Sequence, residues 1–450
     1  MSFDPCDRAP ARLPVHHRIA IPLAALALFG LVALLRLAGL SAVGNGALRL
    51  LGVVPGPFPF LDTHAVLAAA QCQRRGIDVY LSNPCDVFGR THVYSPLWLS
   101  LVPPGLGTAA TPWVGAGLDL LFIASLAWLL RPRTGRELAI FAVAVFSPTT
   151  VYALERANNE LVIFLLVLVA GVLQARSRAA RLCSYALIVG AALLKYFPAV
   201  LLSLAARERR RDALCVAGGA MLAAALLAVA YRDVLGTALA NIPSLSYYTD
   251  SFSARNLPFG LATGLPMLAD PRPFAIGLFA VMTGLALVWL RRAVTLLDRA
   301  GLVWTGAEAR FAAIGGLLLT GCFFAGQNVD YRGIHFLFAL PGLLLLRASA
   351  APPAARRFLS RLVAAALLLM WEEFFRQALL AAFAAQPGDR VAMVFWVGRE
   401  WLWWWTISGL AAVALCYLKR LPLLQTPAAM LTRLIGVGRG SIGIAAPGDQ

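Results

Sequence analysis

Apolar stretches of about 15–25 residues recur along the whole chain, and they constrain its fold more than any other feature. A helix needs about 20 residues to cross the hydrocarbon core of a bilayer. Hydrophobic residues fill 60% of the 450 positions and charged residues only 14%, which is far less charge than a soluble domain carries. The sequence therefore predicts an all-α integral membrane protein.

The basic residues predict its orientation. The formal charge is +17, and nearly all of it comes from arginine, because Lys195 and Lys419 are the two lysines of the chain. These residues lie in short loops between apolar segments, a pattern typical of cytoplasmic helix ends and not of nucleic-acid binding. Following the loops predicts a polytopic bundle of about 10–12 transmembrane helices in the cell inner (plasma) membrane, with both termini cytoplasmic. The first apolar segment, from about residue 19 to 41, is too long for a cleaved signal.

We interpret residues 1–420 as a single transmembrane catalytic domain. Its outer face has two long loops, 43–94 and 232–273, and carries short re-entrant and amphipathic helices. The remaining residues, 421–450, have the composition of a basic cytoplasmic tail that is partly disordered.

One segment does not fit a simple crossing. Residues 183–205 are apolar, yet basic residues flank both of their ends, so both ends should lie inside. About 22 residues cannot cross twice as ordinary helices, and Pro198 interrupts the segment. The pattern predicts a broken or re-entrant element with Lys195 near its apex. A helix that simply spans the membrane is the alternative.

Asp62 opens a short amphipathic helix, 62–75, in the first outer loop. Its carboxylate could cap that helix, with Leu61 and Val66 forming a hydrophobic staple and Gly76 ending the helix. A capping carboxylate stays ionised, as a general base must be, so the two roles are compatible.

Cys72 and Cys85 fall in the same outer loop. In an oxidising compartment the two thiols could form a disulfide. No Cys and His spacing along the chain is typical of a zinc site.

A second group of polar residues follows residue 327. Arg332 and His335 are three positions apart, on one helical face, and together could bind a phosphate. A snorkelling arginine and a buried structural histidine are the alternative. Lys195 needs an anionic partner, because a lone lysine among apolar residues is costly. Elsewhere, the spacing of Glu372 and Arg376 predicts an ion pair across one helical turn.

These residues lead to a family. The pattern Asp62…Gly76-Ile-Asp-Val-Tyr80…Tyr94-Ser-Pro-Leu97 resembles the first outer loop of family 87 glycosyltransferases. Three further stretches are similar to that family, and they are Asn158-Asn-Glu-Leu, Leu194-Lys-Tyr-Phe-Pro198 and Asn328…Tyr331-Arg332…His335. Where the family often has Gly-Gln, this chain has Glu155-Arg-Ala, a departure that leaves the acceptor open.

The resemblance implies a GT-C fold and a hexose, mannose in the best-known members, transferred from a polyprenyl-phosphate donor to a lipid-linked or glycan acceptor. It implies that Asp62 is the general base and that His335 contacts the lipid phosphate. To the substrate-binding set we add Arg332, Tyr331, Lys195, Asn328, Asn159, Arg255 and Tyr94. We expect no metal or cofactor, and we expect the membrane lipids, the donor and the acceptor as partners.

A transporter or flippase for a lipid-linked or anionic substrate is the main alternative, because such proteins also bury charge and use broken helices. The chain shows no internal repeat that would favour it. An enzyme of the same fold that uses another lipid-linked sugar is a second alternative.

Overall fold

The computed structural model describes residues 16–242, 245–264, 270–384 and 389–425. The basic residues before position 16, which contribute to the predicted N-terminal orientation, lie outside the described residues. So does most of the predicted tail, which is described only as far as Gln425.

The described residues are almost entirely helical, as predicted. The first nine α-helices are α1 (His16–Leu37), α2 (Ser41–Leu50), α3 (Leu61–Arg74), α4 (Leu97–Leu101), α5 (Thr111–Leu129), α6 (Gly135–Val145), α7 (Pro148–Glu155), α8 (Asn159–Leu173) and α9 (Arg178–Leu194). The next nine are α10 (Arg210–Ala230), α11 (Arg232–Ala240), α12 (Asn256–Thr263), α13 (Arg272–Asp298), α14 (Ala307–Ala325), α15 (Phe336–Ser349), α16 (Pro353–Met370), α17 (Glu372–Ala382) and α18 (Arg390–Leu418).

Short 3-10 helices and one small sheet connect these helices. The 3-10 helices are Thr108–Ala110, Phe197–Arg207, Asp330–His335 and Pro422–Leu424. The sheet joins β1 (Ser251–Phe252) to β2 (Asn328–Val329) in antiparallel register, with Ser251 opposite Val329. It ties the second predicted outer loop to the segment that carries Arg332. The described part of that loop also contains α11 and α12.

Six of the described helices are long and apolar enough to cross a membrane, namely α1, α5, α10, α13, α14 and α18. Helices α6 and α7 make a seventh span if they count as one helix bent by 47°. The all-α polytopic class is therefore confirmed, whereas the predicted number of crossings is higher than the number of such helices. The difference arises because other apolar segments form shorter helices, such as α8 with 15 residues and α15 with 14.

The core of the bundle lies around α14, which packs against α15 and α18. Two glycines allow these backbones to approach closely. A Cβ atom at Gly342 would lie 2.2 Å from the carbonyl oxygen of Glu308, and one at Gly316 would lie 2.7 Å from that of Leu410. Small residues at helix contacts are typical of membrane bundles. By contrast, α10 is exposed along most of its apolar length, as a lipid-facing helix would be.

The segment 183–205 is broken, as predicted. Helix α9 ends at Leu194, Lys195 is extended with φ −145° and ψ 126°, and the chain returns through a 3-10 helix. Ion pairs join the two ends of this hairpin, since Arg181 Nε lies 2.6 Å from Glu208 Oε1. Lys195 therefore occupies the apex, at the opposite end from the basic flanks.

Candidate active site

Asp62 is the second residue of α3, and the interpretation of its carboxylate as the helix cap is wrong. The capping position belongs to Phe60, whose backbone is left-handed with φ 67°, and no side chain caps the helix. The other end of the helix is as predicted, because Gly76 follows it with φ +77°. The carboxylate of Asp62 is therefore free of a capping role and takes its partners from another part of the chain.

The backbone around Asp62 is fixed against the loop between α7 and α8. The Phe60 amide donates to the Glu155 carbonyl at 2.7 Å, and the Asp62 amide donates to the Arg156 carbonyl at 3.1 Å. Ala157, in that loop, is also left-handed with φ 38°. Such conformations cost about 1–3 kcal/mol each for residues other than glycine, so they persist where surrounding contacts enforce them. Both strained residues flank the contact that positions Asp62.

The Asp62 side chain binds two donors from the same loop. Asn158 Nδ2 donates to Asp62 Oδ2 at 2.5 Å, and Arg156 Nη1 lies 3.7 Å from Oδ1. The Asp62 side chain keeps 13% of its surface exposed. It borders an open cavity of about 350 Å³ whose other lining residues are Ala65, Asn83, Arg90, Thr91, His92, Val93, Tyr94 and Asn241.

The wall of this cavity is held together covalently. Cys72 and Cys85, whose pairing the sequence leaves open, form a disulfide with a Cα–Cα distance of 5.8 Å, and it joins α3 to the loop that follows. In that loop the Arg90 guanidinium donates two hydrogen bonds to the Asp86 carboxylate. Nε donates to Oδ1 at 3.0 Å, and Nη2 donates to Oδ2 at 2.8 Å. These bonds keep the pKa of the Asp86 carboxyl below its usual value, although burial alone would raise that pKa. Asp62 therefore faces a cavity near which a disulfide and an ion pair connect the surrounding segments.

A second set of contacts centres on Glu160, in the first turn of α8. Lys195 Nζ and Arg332 Nε each lie 2.7 Å from Glu160 Oε1, and His335 Nε2 lies 3.6 Å from Oε2. We call these four residues the Glu160 cluster. Its side chains are almost completely buried, with Arg332 the most exposed at 12%. One carboxylate thus faces two cations, and the cluster keeps an excess of positive charge.

Asn158 connects Asp62 to the Glu160 cluster. Its Oδ1 accepts from the Glu160 amide at 2.9 Å, which makes Asn158 the N-cap of α8, while its Nδ2 donates to Asp62. One side chain therefore fixes both the expected base and the helix turn that holds the buried carboxylate. The structure brings Asp62 and the residues Lys195, Arg332 and His335 to one end of the bundle.

The two predicted tyrosines have different neighbours. The Tyr94 ring is 5.4 Å from Lys195 Nζ, and the Tyr331 ring is 5.9 Å from that of Tyr152. Burial, followed by the negative charge of Asp62, raises the pKa of the Tyr94 phenol. Tyr94 also lines the cavity, so it touches both the cavity and the Glu160 cluster.

The three other residues predicted to bind substrate, Asn328, Asn159 and Arg255, differ from one another in their contacts. Asn328 donates to the carbonyls of Cys322 and Gly326 at 2.6 Å, and its Oδ1 accepts from Arg332 Nη1, so its side chain holds Arg332. Asn159 is buried, and its Nδ2 has no hydrogen-bond partner among the described residues. Arg255 has an exposed side chain without a hydrogen bond or ion pair in the described part of the chain.

Sequence reasoning missed the role of Glu160. The available signal was its position in the first turn of an apolar helix, in a chain whose lone buried lysine needs an anion. The predicted ion pair between Glu372 and Arg376 is wrong. Arg376 binds Glu373 at 2.6 Å, and Glu372 accepts a hydrogen bond from Trp403 Nε1 at 2.9 Å.

The apolar helices, together with the polar side chains gathered at one end of the bundle, are typical of a membrane protein with a candidate binding site at that end. The model of glycosyltransferase family 87 matches residues 92–257. This match confirms the resemblance to family 87 and indicates a membrane glycosyltransferase. Among curated proteins and among solved structures, none matches the chain.

The matched range covers part of the site. Tyr94, Asn159 and Lys195 lie inside it, whereas Asp62 and the segment 328–335 lie outside. Hydrogen bonds and ion pairs from Asn158 and Glu160, both inside the range, hold these outlying parts in place.

Proposed function

We propose that this membrane glycosyltransferase transfers a hexose, mannose by preference, from a polyprenyl-phosphate donor to a hydroxyl group of a lipid-linked or glycan acceptor. The observation that carries the proposal is the link through Asn158. It joins a carboxylate at a polar cavity to a buried cluster with excess positive charge. Direct displacement at the sugar carbon requires a base on one side of that carbon and stabilisation of an anionic leaving group on the other.

The acceptor side is the cavity. A volume of about 350 Å³ accommodates a sugar ring, and its amide, hydroxyl and guanidinium groups can bind sugar hydroxyls. Asp62 borders this cavity, within reach of an acceptor hydroxyl. An alcohol is a far weaker acid than a carboxylic acid, so its proton moves to Asp62 only as the new C–O bond forms.

The donor side is the Glu160 cluster. As the bond between the sugar carbon and the phosphate oxygen breaks, its electron pair stays on the phosphate, which gains negative charge. Lys195 and Arg332 together carry one positive charge more than Glu160 can neutralise. Preorganised cations in a dry site stabilise such developing charge strongly. His335 adds a ring nitrogen that can donate to the same phosphate.

Stereochemistry and cofactor use follow from this arrangement. A single displacement inverts the configuration of the sugar carbon relative to the donor. The proton acceptor and the phosphate-stabilising cations are protein side chains, so we propose that the reaction needs no divalent ion. Turnover that persists in an excess of EDTA is the expected result. We also propose that the site lies on the extracytoplasmic side of the inner membrane.

The direct test is transfer by the purified protein. Wild-type protein with labelled polyprenyl-phosphate mannose and a lipid extract should produce a labelled glycolipid or glycan. Asp62→Asn should lower the rate by at least about 100-fold, because general-base catalysis contributes about 10²–10⁴-fold. Asp78→Asn, in the same loop, is the matched control and should transfer normally. Turnover by Asp62→Asn at the wild-type rate would show that Asp62 is not the base.

A further inference from the structure

A cluster of four arginines lies at the end of the bundle opposite the candidate site. Arg347 is in the last turn of α15, and Arg356, Arg357 and Arg361 are in the first turns of α16. Since α15 rises about 1.5 Å per residue, Arg347 is about 18 Å along the helix from His335. The four arginines, with Pro353 and Ser360, line an open cavity of about 490 Å³.

The charge of this cavity is not compensated within the described residues. Among the described residues, none of these four arginines forms an ion pair with a carboxylate. Other arginines at this end of the bundle do form ion pairs, and Arg133, for example, lies 2.8 Å from Glu308. Arg347 Nε donates to Ser360 Oγ at 2.7 Å, which fixes one guanidinium at the cavity wall. The first turn of α16 contains no acidic residue and no side-chain cap, so its free amides add positive potential.

The surface next to the cavity is apolar. Along α16 the exposed positions Arg357, Arg361, Ala364 and Leu368 follow one another at helical spacing. The first two carry guanidinium groups at the basic end, and Leu368 is 49% exposed further along the helix. A ligand with a phosphate head and a hydrocarbon tail would contact both parts of this stripe.

We propose that this cavity binds the headgroup phosphate of an anionic phospholipid whose acyl chains lie along α16. Guanidinium groups bind phosphate oxygens with paired hydrogen bonds, and basic pockets between transmembrane helices bind anionic headgroups. The proposal does not depend on the transfer reaction, because the site lies at the other end of the bundle and shares no residue with it. A free phosphate ion has the same charged group but lacks the tail.

The test measures lipid binding to the full-length protein in detergent by native mass spectrometry. Phosphatidylglycerol is the anionic probe, phosphatidylcholine the zwitterionic probe, and inorganic phosphate the probe without acyl chains. The combined variant Arg356→Gln, Arg357→Gln and Arg361→Gln should bind phosphatidylglycerol at least about tenfold more weakly, because each arginine near an anionic headgroup changes affinity about fivefold. Phosphatidylcholine should bind weakly to both proteins.

The matched control removes the same charge from another helix end. The combined variant Arg291→Gln, Arg292→Gln and Arg299→Gln changes two arginines in the second half of α13 and the one that follows the helix, none of which lines the cavity. It should bind phosphatidylglycerol as the wild type does, and circular dichroism should show that both variants fold. Equal weakening of phosphatidylglycerol binding in the two variants would mean that net charge, and not the cavity, causes the effect, and would also overturn the proposal. Unchanged binding by the α16 variant, or binding of inorganic phosphate as tight as that of the lipid, would overturn the proposal.

Discussion

The 3-10 segment Asp330–His335 contributes residues to two clusters of buried charged side chains. Cations outnumber carboxylates in one cluster, and carboxylates outnumber cations in the other. In the Glu160 cluster one carboxylate faces Lys195 and Arg332. In the second, which we call the Arg399 cluster, one guanidinium faces three carboxylates. Arg399 lies 2.6 Å from Glu400 and 3.8 Å from Glu372, and Asp330 adjoins them. All four of these side chains are at most 5% exposed.

The two excesses are relieved in different ways. Burial raises the pKa of the Asp330 and Glu372 carboxyls, so a surplus carboxylate of the acidic cluster can take up a proton. Arg332 does not lose its proton in a protein. Burial lowers the pKa of the Lys195 ammonium group, whereas the Glu160 carboxylate 2.7 Å away favours its charged form, so a bound anion would keep both cations charged. The Arg399 cluster is therefore complete with protons alone, whereas the Glu160 cluster suits a phosphate. This difference is why we assign substrate binding to one cluster and a structural role to the other.

Removing the carboxylate of the cation-rich cluster should have the largest effect on stability. Glu160→Gln leaves Lys195 and Arg332 buried without a counter-charge, and breaking a buried ion pair costs about 3–5 kcal/mol. Thermal unfolding in detergent micelles measures the loss. Glu373→Gln is the matched control, because its pair with Arg376 is partly exposed at 16% and 22% and should contribute less than about 1 kcal/mol. Equal destabilisation by the two variants would contradict the account.

The imidazole of His92 is buried without a carboxylate partner among the described residues, so its effect on stability should depend on pH. His92 is 4% exposed, and burial lowers its pKa to about 4. The unfolded chain binds a proton below about pH 6.5, so the free energy of unfolding should fall by up to about 3 kcal/mol as the pH drops from 6.5 to 4. Unfolding midpoints across this range give the slope. His92→Phe, which keeps a ring between Tyr80 and Tyr94, should flatten it, and an identical slope in the variant would exclude His92 as the cause.

Cutting the link between base and cluster should have an intermediate effect. Asn158→Ala removes the cap of α8 and the hydrogen bond to Asp62, which together contribute about 2 kcal/mol of stability. We expect the transfer rate to fall by more than about tenfold, because the carboxylate loses its orientation. Asn158→Ser separates the two roles, since serine caps a helix but cannot reach Asp62. It should restore the part of the unfolding temperature that depends on the cap, without restoring the transfer rate. Recovery of the rate as well would mean that Asn158 is only a cap.

The smallest effect should come from the acidic cluster. Asp330→Asn removes one of the three carboxyl groups around a single guanidinium, and burial already raises the pKa of that carboxyl. The unfolding free energy should change by less than about 1 kcal/mol, with either sign. Denaturation in detergent provides the comparison with Glu160→Gln. A loss of several kcal/mol would mean that Asp330 is an essential counter-ion of Arg399.

Local patterns in the sequence predicted what depends on neighbouring residues. The charge on both flanks of 183–205, with Pro198, was enough to predict the break at Lys195, and Gly76 was enough to predict the end of α3. Cys72 and Cys85 are only 13 positions apart, which makes a disulfide between them possible but does not decide that it forms. Each of these depends on backbone preferences or short loops that a single segment contains.

The charged contacts could not be predicted in this way. Glu160 binds Arg332 across 172 positions, and Asn158 binds Asp62 across 96, so only the packing of the helices decides these pairs. Helical spacing gave the wrong partner for Glu372, because Arg399 and Trp403 of α18 reach it through space.

Donor affinity in Lys195→Met tests the central claim most directly. This variant leaves one carboxylate facing one arginine, so the Glu160 cluster loses its excess charge while Arg332 keeps its partner. Binding of polyprenyl-phosphate mannose to the purified protein should weaken at least about tenfold, whereas Asp62→Asn should bind the donor like the wild type. Wild-type donor affinity in Lys195→Met would contradict the assignment of the cation-rich cluster to the lipid phosphate.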